Sequence, residues 1–280
     1  MEYPKTVVLT LAAERLILEF GGGCATVTQG GMKLTDSQSL VELWCGRASA
    51  GDGGALEHRC EASLSEEERQ RASRFRQATT RNQHIVGRGM ARILLAADRT
   101  SPQDIEFAFN AHGKPDVLAP PSAKRPFNIA HTDGLVLVAT CEAGRIGVDV
   151  ERLARRTDCA LARRYFAPPE VDYVMRQPND EQRRLAFLRV WTLKESFVKA
   201  LGKGLAIPLS DFTFEEIESA APRIRMLRPD LEDGCNWHFA CLSPAHGYIA
   251  AIAVSDIPTA VIDVQVRDFH TLLSPASREL

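Results

Sequence analysis

The chain has 280 residues, of which 45% are apolar and 25% charged, with a formal net charge of −2. That length supports one large domain or two of ordinary size with a substantial core, and the near-neutral charge excludes a general nucleic-acid binder, whose domain is basic. No stretch approaches the ~18 uninterrupted apolar residues of a membrane span.

The N-terminal run Val7–Ala13 is closed by Glu14 and Arg15, which predicts a first strand over Val7–Leu18 and not a signal peptide. A second strand is expected at Leu40–Cys45, and the Gly/Ala/Ser-rich Ala48–Ala55 reads as a loop. Ser65 with Glu68 three residues on is a capping box. It predicts a short basic helix to about Gln77, followed by a longer one through Ile85, Met90, Ile93 and Leu94 to Asp98. Ile105–Phe109 alternates as a strand does, and Gly113-Lys114-Pro115 is a turn that presents a lysine. Strands are expected at Leu135–Cys141 and Ile146–Glu151.

The second half repeats this order. Phe166-Ala167-Pro168-Pro169-Glu170 starts a short helix, with proline where a first turn tolerates it. A long helix covers Arg184–Leu201, stopped by Gly202 and Gly204, and Phe212–Phe214 alternates again. Trp237–Leu242 and Tyr248–Val254 predict a hairpin, and Ser274–Leu280 a frayed tail. The fold class is therefore α+β, with two similar halves, 1–145 and 146–280, related by a pseudo-twofold axis and facing a common cleft. The seven cysteines are scattered without a C-x-x-C pair, which argues for reduced thiols in a cytoplasmic protein.

Four groups of residues can carry chemistry. In Gly147-Val148-Asp149-Val150-Glu151 the two acids project from one strand face, about 7 Å apart at Cα. They can converge on a hard cation such as Mg²⁺, or be solvated acids on an edge strand. Glu195 and Lys199 lie on Trp191–Leu205 at the margin of the apolar stripe Phe187, Val190, Trp191, Phe197, Val198 and Leu201. By themselves they also suit an ordinary i,i+4 surface pair. His131 ends the apolar strand Phe127–Thr132, and Lys114 sits in its turn; either alone is more readily structural.

Taken together, these segments resemble the surfactin-type 4′-phosphopantetheinyl transferases. Gly-x-Asp-x-Glu, followed some forty residues later by Trp-x-x-Lys-Glu-Ser-x-x-Lys, is similar to that family's signature. Phe127–His131 resembles its Phe-Asn-Ile-Ser-His segment, with Ala130 at the serine position. The resemblance covers about residues 64–254.

It implies a transfer of phosphopantetheine from coenzyme A to a serine of an apo acyl or peptidyl carrier protein, releasing 3′,5′-ADP. Asp149, Glu151 and Glu195 would hold Mg²⁺. Lys199 would contact the pyrophosphate, and Glu195 or a magnesium-held water would take the serine proton, giving Glu195, Lys199 and Asp149 as the catalytic set. His131 would bind the 3′-phosphate, with Lys114 and Arg71 as further phosphate contacts. The expected protein is a cytoplasmic monomer with no nucleic-acid or membrane partner. The same acids would also serve a magnesium-dependent nucleotide phosphohydrolase, and a coenzyme A-binding regulator without turnover is the non-enzymatic alternative.

Overall fold

The computed structural model describes residues 40–257 and 262–273. The strand expected at Val7–Leu18 and the tail Ser274–Leu280 lie outside the described residues. Chain order is β1 (Leu40–Gly46), α1 (Ala55–Glu61), α2 (Glu66–Ser73), α3 (Ala78–Ala96), β2 (Glu106–Phe109), β3 (Pro115–Ala119), β4 (Phe127–Thr132), β5 (Leu135–Thr140) and β6 (Ile146–Arg152). It continues with α4 (Ala162–Tyr165), α5 (Pro168–Met175), α6 (Asp180–Leu201), β7 (Phe212–Glu215), β8 (Arg223–Met226), β9 (Trp237–Leu242), β10 (Tyr248–Ser255), β11 (Asp263–Asp268) and α7 (His270–Leu273). Among the described residues no helix is long and apolar enough to cross a membrane.

Two sheets form the centre, ordered β11-β1-β5-β4 and β6-β10-β9, with β2-β3 and β7-β8 as separate hairpins. Side chains on a strand alternate faces, and the burial follows that alternation. Leu135, Leu137 and Ala139 of β5 share one core with Val148 and Val150 of β6 and Ala250, Ile252 and Val254 of β10. The opposite face of β5, with Val136 and Val138, packs on α3. Ala251 and Ala253 of β10 pack on the other side against α6. The layers are therefore helix, sheet, sheet, helix, each pair sealed by its own apolar cluster.

Local signals account for the helix limits. Ser65 Oγ accepts from Glu68 N at 3.3 Å and Glu68 Oε2 from Ser65 N at 3.2 Å, the reciprocal cap expected at α2. α2 stops at Ser73, earlier than expected. Helix α6 starts one turn before the expected Arg184, because Asn179 Oδ1 accepts from Gln182 N at 2.9 Å; Gly202 closes it in the left-handed region at φ 66°. The expected loop over Ala48–Ala55 runs straight into α1. That helix lacks a Ser, Thr, Asp or Asn cap; Glu57 instead accepts from Gly54 N at 2.8 Å and Ser49 N at 2.7 Å.

One connection departs from the division at residue 145. Strand β11 returns to the first sheet and runs parallel to β1, with Leu40 opposite Asp263 and Cys45 opposite Asp268. Phe269 follows into the core beneath α3. The sheet of the first half is completed by the end of the second.

β6 and α6 approach each other closely at Gly147. A Cβ on Gly147 would stand 2.0 Å from Ser196 O and 2.4 Å from Ala200 N. Only a residue without a side chain lets the helix lie this near the strand. Gly147→Ala must push α6 outward, and overpacking a close contact costs about 1–3 kcal/mol. The expected outcome is a stability loss of at least that size in urea titration; an unchanged midpoint would show that the strand and helix separate freely.

Candidate active site at the seam of β6 and α6

The residues that alternate away from the central core on β6 are Gly147, Asp149 and Glu151, and they face α6. Both acids are 7% exposed, so neither is a solvated edge acid. Glu195 and Lys199 of α6 are half-buried, as their place at the stripe margin predicts. Lys199 Nζ donates to Asp149 Oδ1 at 2.6 Å. The lysine thus reaches across the seam to β6, which is not the geometry of a simple surface pair with Glu195. Arg155 Nη1 donates to Glu151 Oε1.

The electrostatics follow from putting three acids in one sparsely hydrated place. Burial raises the Asp149 carboxyl above its usual range, against the opposing pull of Lys199. Burial raises Glu151, with Arg155 pulling it down and Asp149 adding to the rise. Glu195 is raised by burial first and then by the negative charge of Asp149, Lys199 working against both. Carboxylates that raise one another in this way are relieved by a cation.

Asp149 Oδ2 is buried without a hydrogen-bond partner. A buried acceptor of this kind needs a ligand, and carboxylate oxygens suit a hard ion such as Mg²⁺. The residues therefore fit a divalent cation. Among the described residues no three His, Cys, Asp or Glu side chains stand in metal-holding geometry. Lys199 and Arg155 each hold one of the β6 acids.

His131 ends β4 close to this cluster. Packing around the ring, followed by the nearby Lys199 ammonium, lowers its pKa below the ordinary value, against an opposite pull from Asp149. Gln83 of α3 donates to Thr132 O at 3.0 Å and ties that helix to the end of β4. Arg71 is exposed on α2, near enough to depress the neighbouring His84 imidazole, whose pKa is pushed down to about 4 by burial and then by Arg88 and Arg71. A cavity of about 380 Å³, lined by Thr132, Asp133, Glu151, Arg152, Ala154 and Arg155, opens beside the second acid of β6.

Lys114 differs from the expectation. Its Nζ donates to Ile146 O and to Ala200 O, both at 2.9 Å, and burial followed by Arg145 pushes its pKa down to about 8. Two of its three donors are spent on the protein's own backbone, so the structure does not present it as an open phosphate contact.

Two residues of the site's foundation were not singled out from the sequence. Lys194, fully buried, pairs with the equally buried Glu170 at 2.7 Å and also donates to Leu209 O and Phe212 O, both at 2.7 Å. Glu170 accepts in addition from Ala167 N at 3.1 Å and Phe214 N at 2.8 Å. The pair locks together α5, α6 and the start of β7. A signal existed: residue 194 fills the gap in the apolar stripe between Trp191 and Phe197, where a lysine is out of place unless paired.

An α+β fold with an acid cluster and a facing lysine at one seam, and an imidazole on β4 close to it, suits a polyanionic substrate. Comparison with known proteins makes this specific. The model of the 4′-phosphopantetheinyl transferase superfamily matches residues 145–253, the stretch that carries both β6 and α6. The chain is 34% identical over 198 residues to the 4′-phosphopantetheinyl transferase HetI of Nostoc sp., covering 69% of this chain and 79% of that one. It is 31% identical over 212 residues to the transferase psf-1 of Bacillus pumilus (75% and 87% covered). Against the transferase Sfp of Bacillus subtilis it is 26% identical over 211 residues (75% and 90% covered). The chain belongs to the 4′-phosphopantetheinyl transferase superfamily.

The buried pair beneath the site yields a stability test. Lys194→Met leaves Glu170 charged, buried and unpaired, a change that costs about 3–5 kcal/mol. The expected result is a correspondingly lower unfolding free energy, part of which returns in the double variant Lys194→Met with Glu170→Gln. A double variant no better than the single one would show that the pair's charge is not what the core must balance.

Proposed function

We propose that the protein transfers the phosphopantetheine arm of coenzyme A to a serine of an apo acyl or peptidyl carrier protein, releasing 3′,5′-ADP. The observation that carries this reading is the convergence of Asp149, Glu151, Glu195 and Lys199 on one seam in a chain of this superfamily. Asp149, Glu151 and Glu195 would hold Mg²⁺, which when bound supplies neutralisation of the pyrophosphate charge.

The chain's own groups do the rest. Glu195, whose proton affinity is raised by burial and by Asp149, is the better matched to take the serine proton near neutral pH. The serine oxygen then attacks the β-phosphorus, the bond to the bridging oxygen breaks, and 3′,5′-ADP leaves. Lys199 offsets the charge that builds on that leaving group. Phosphoryl transfer consists mostly of positioning and charge neutralisation, and this seam provides both.

His131 receives the 3′-phosphate, with exposed Arg71 as a further cation on that side of the substrate. Carrier proteins present acidic surfaces. Arg152 at the end of β6, and Arg155, Arg156, Arg163 and Arg164 on the segment that follows, are all exposed, and we assign the carrier's approach to this side. The two halves, divided near residue 145 and arranged about a pseudo-twofold axis, would each contribute one wall of the substrate cleft, in a monomeric cytoplasmic enzyme.

Intact mass of several apo carriers after incubation with coenzyme A and Mg²⁺ tests the activity. A gain of ~340 Da on carrier, the arm expected from this phosphoryl transfer, is the positive result. Asp149→Ala or Glu151→Ala should lower the rate on the order of 10³-fold or more while unfolding remains cooperative. Activity within tenfold of wild type removes that residue from the metal-holding set.

Donor recognition separates through His131→Ala. Its KM should rise far more for coenzyme A than for 3′-dephospho-coenzyme A, since a charge-assisted hydrogen bond of this kind contributes roughly 1.5–3 kcal/mol. Equal losses with both donors would make the histidine structural.

A further inference from the structure

The acid cluster is divided between two elements: β6 carries Asp149 and Glu151, α6 carries Glu195 and Lys199. Their mutual position therefore sets the site, and β6 is an edge strand of its sheet. Edge strands leave backbone groups unpaired on one side. Here those groups are met by side chains of the first half and not by another strand. Asn128 Oδ1 accepts from Val148 N at 2.9 Å, and Lys114 Nζ donates to Ile146 O at 2.9 Å.

The same ammonium donates to Ala200 O at 2.9 Å, on the last turn of α6. Carbonyls at a helix C-terminus lack intrahelical partners and carry partial negative charge. A lysine placed there both satisfies and attracts them. Beside it, Asn110 Nδ2 donates to Gly202 O at 2.7 Å. Asn110 Oδ1 accepts from Lys114 N at 3.0 Å and His112 N at 2.9 Å, which fixes the turn that carries the lysine. Gly202 has no Cβ to obstruct the grip; one placed there would meet Asn110 Nδ2 at 2.8 Å and Lys114 Cδ at 3.0 Å.

We infer that the turn between β2 and β3 is a clamp, in which Lys114 ties the start of β6 to the end of α6 and so acts as a positioning residue for the acid cluster. The inference rests on the transferase reading above. It assigns the lysine of Gly113-Lys114-Pro115 to the enzyme's own backbone, not to the substrate's phosphates. Releasing the clamp leaves each acid on its element but frees the two elements to shift along one another. Displacements of about 1 Å in a catalytic constellation cost on the order of 10²-fold in rate.

The test compares wild type, Lys114→Met and Asn110→Ala in transfer to one apo carrier. It measures kcat and KM for coenzyme A per folded molecule, with near-ultraviolet dichroism fixing the folded fraction. Coenzyme A binding is measured separately by calorimetry. For both variants the expected result is a kcat lowered about tenfold or more, with KM and calorimetric Kd for coenzyme A within about twofold of wild type. If Lys114→Met does not fold, Asn110→Ala carries the same comparison. A tenfold weaker calorimetric Kd for coenzyme A with kcat intact makes the lysine a substrate contact and overturns the inference, as does a variant with unchanged kcat and KM. A wild-type protein that transfers nothing to any carrier overturns the activity itself and the inference with it.

Discussion

The whole site depends on how near a helix can come to a strand. Gly147 lets the backbone of α6 lie against β6, where any side chain would collide with Ser196 O and Ala200 N. The next two residues on that strand face, Asp149 and Glu151, are thereby brought under Glu195 and Lys199 of α6. Their burial follows from the same apposition. A glycine followed by alternate acids is thus one physical unit: the first residue admits the helix, and the others meet what the helix carries.

Burial at this seam has an electrostatic consequence. Several carboxylates in a poorly hydrated space favour the protonated state, and the chain answers with its own cations. Lys199 sits on Asp149 and Arg155 on Glu151. The chain's own cations thus balance two of the acids. Below the seam the balance is stricter. Lys194 and Glu170 are fully buried and satisfy each other and four backbone groups, so that the helix turn bearing Glu195 has a fixed floor.

Much of this was legible in the sequence, because periodicity and caps are local. The Ser65–Glu68 box, the end of α6 at Gly202, the late hairpin and the faces of Asp149 and Glu151 all follow from residue type and spacing. What escaped was one unusual cap and the nonlocal contacts. Helix α1 is capped by a glutamate from within its own first turn, after a glycine-rich stretch that reads as loop. The parallel pairing of β11 with β1 joins segments that nothing in either marks as partners. Lys114 carries the clearest lesson. A lysine in a glycine turn reads as an exposed cation, and only the fold shows the two carbonyls that hold it.

The return of β11 to the first sheet bears on how the chain is made. β1 is rich in apolar residues and pairs with β5 on one side, and among the described residues its other edge is covered by 263–268. During synthesis that edge emerges well before its partner, residues 263–268. An uncovered apolar edge is a template for pairing with another chain, and closing a loop of this length is slow. Until residues 263–268 are made, the edge of β1 lacks that partner strand. A fragment ending at the junction of the halves lacks that partner strand.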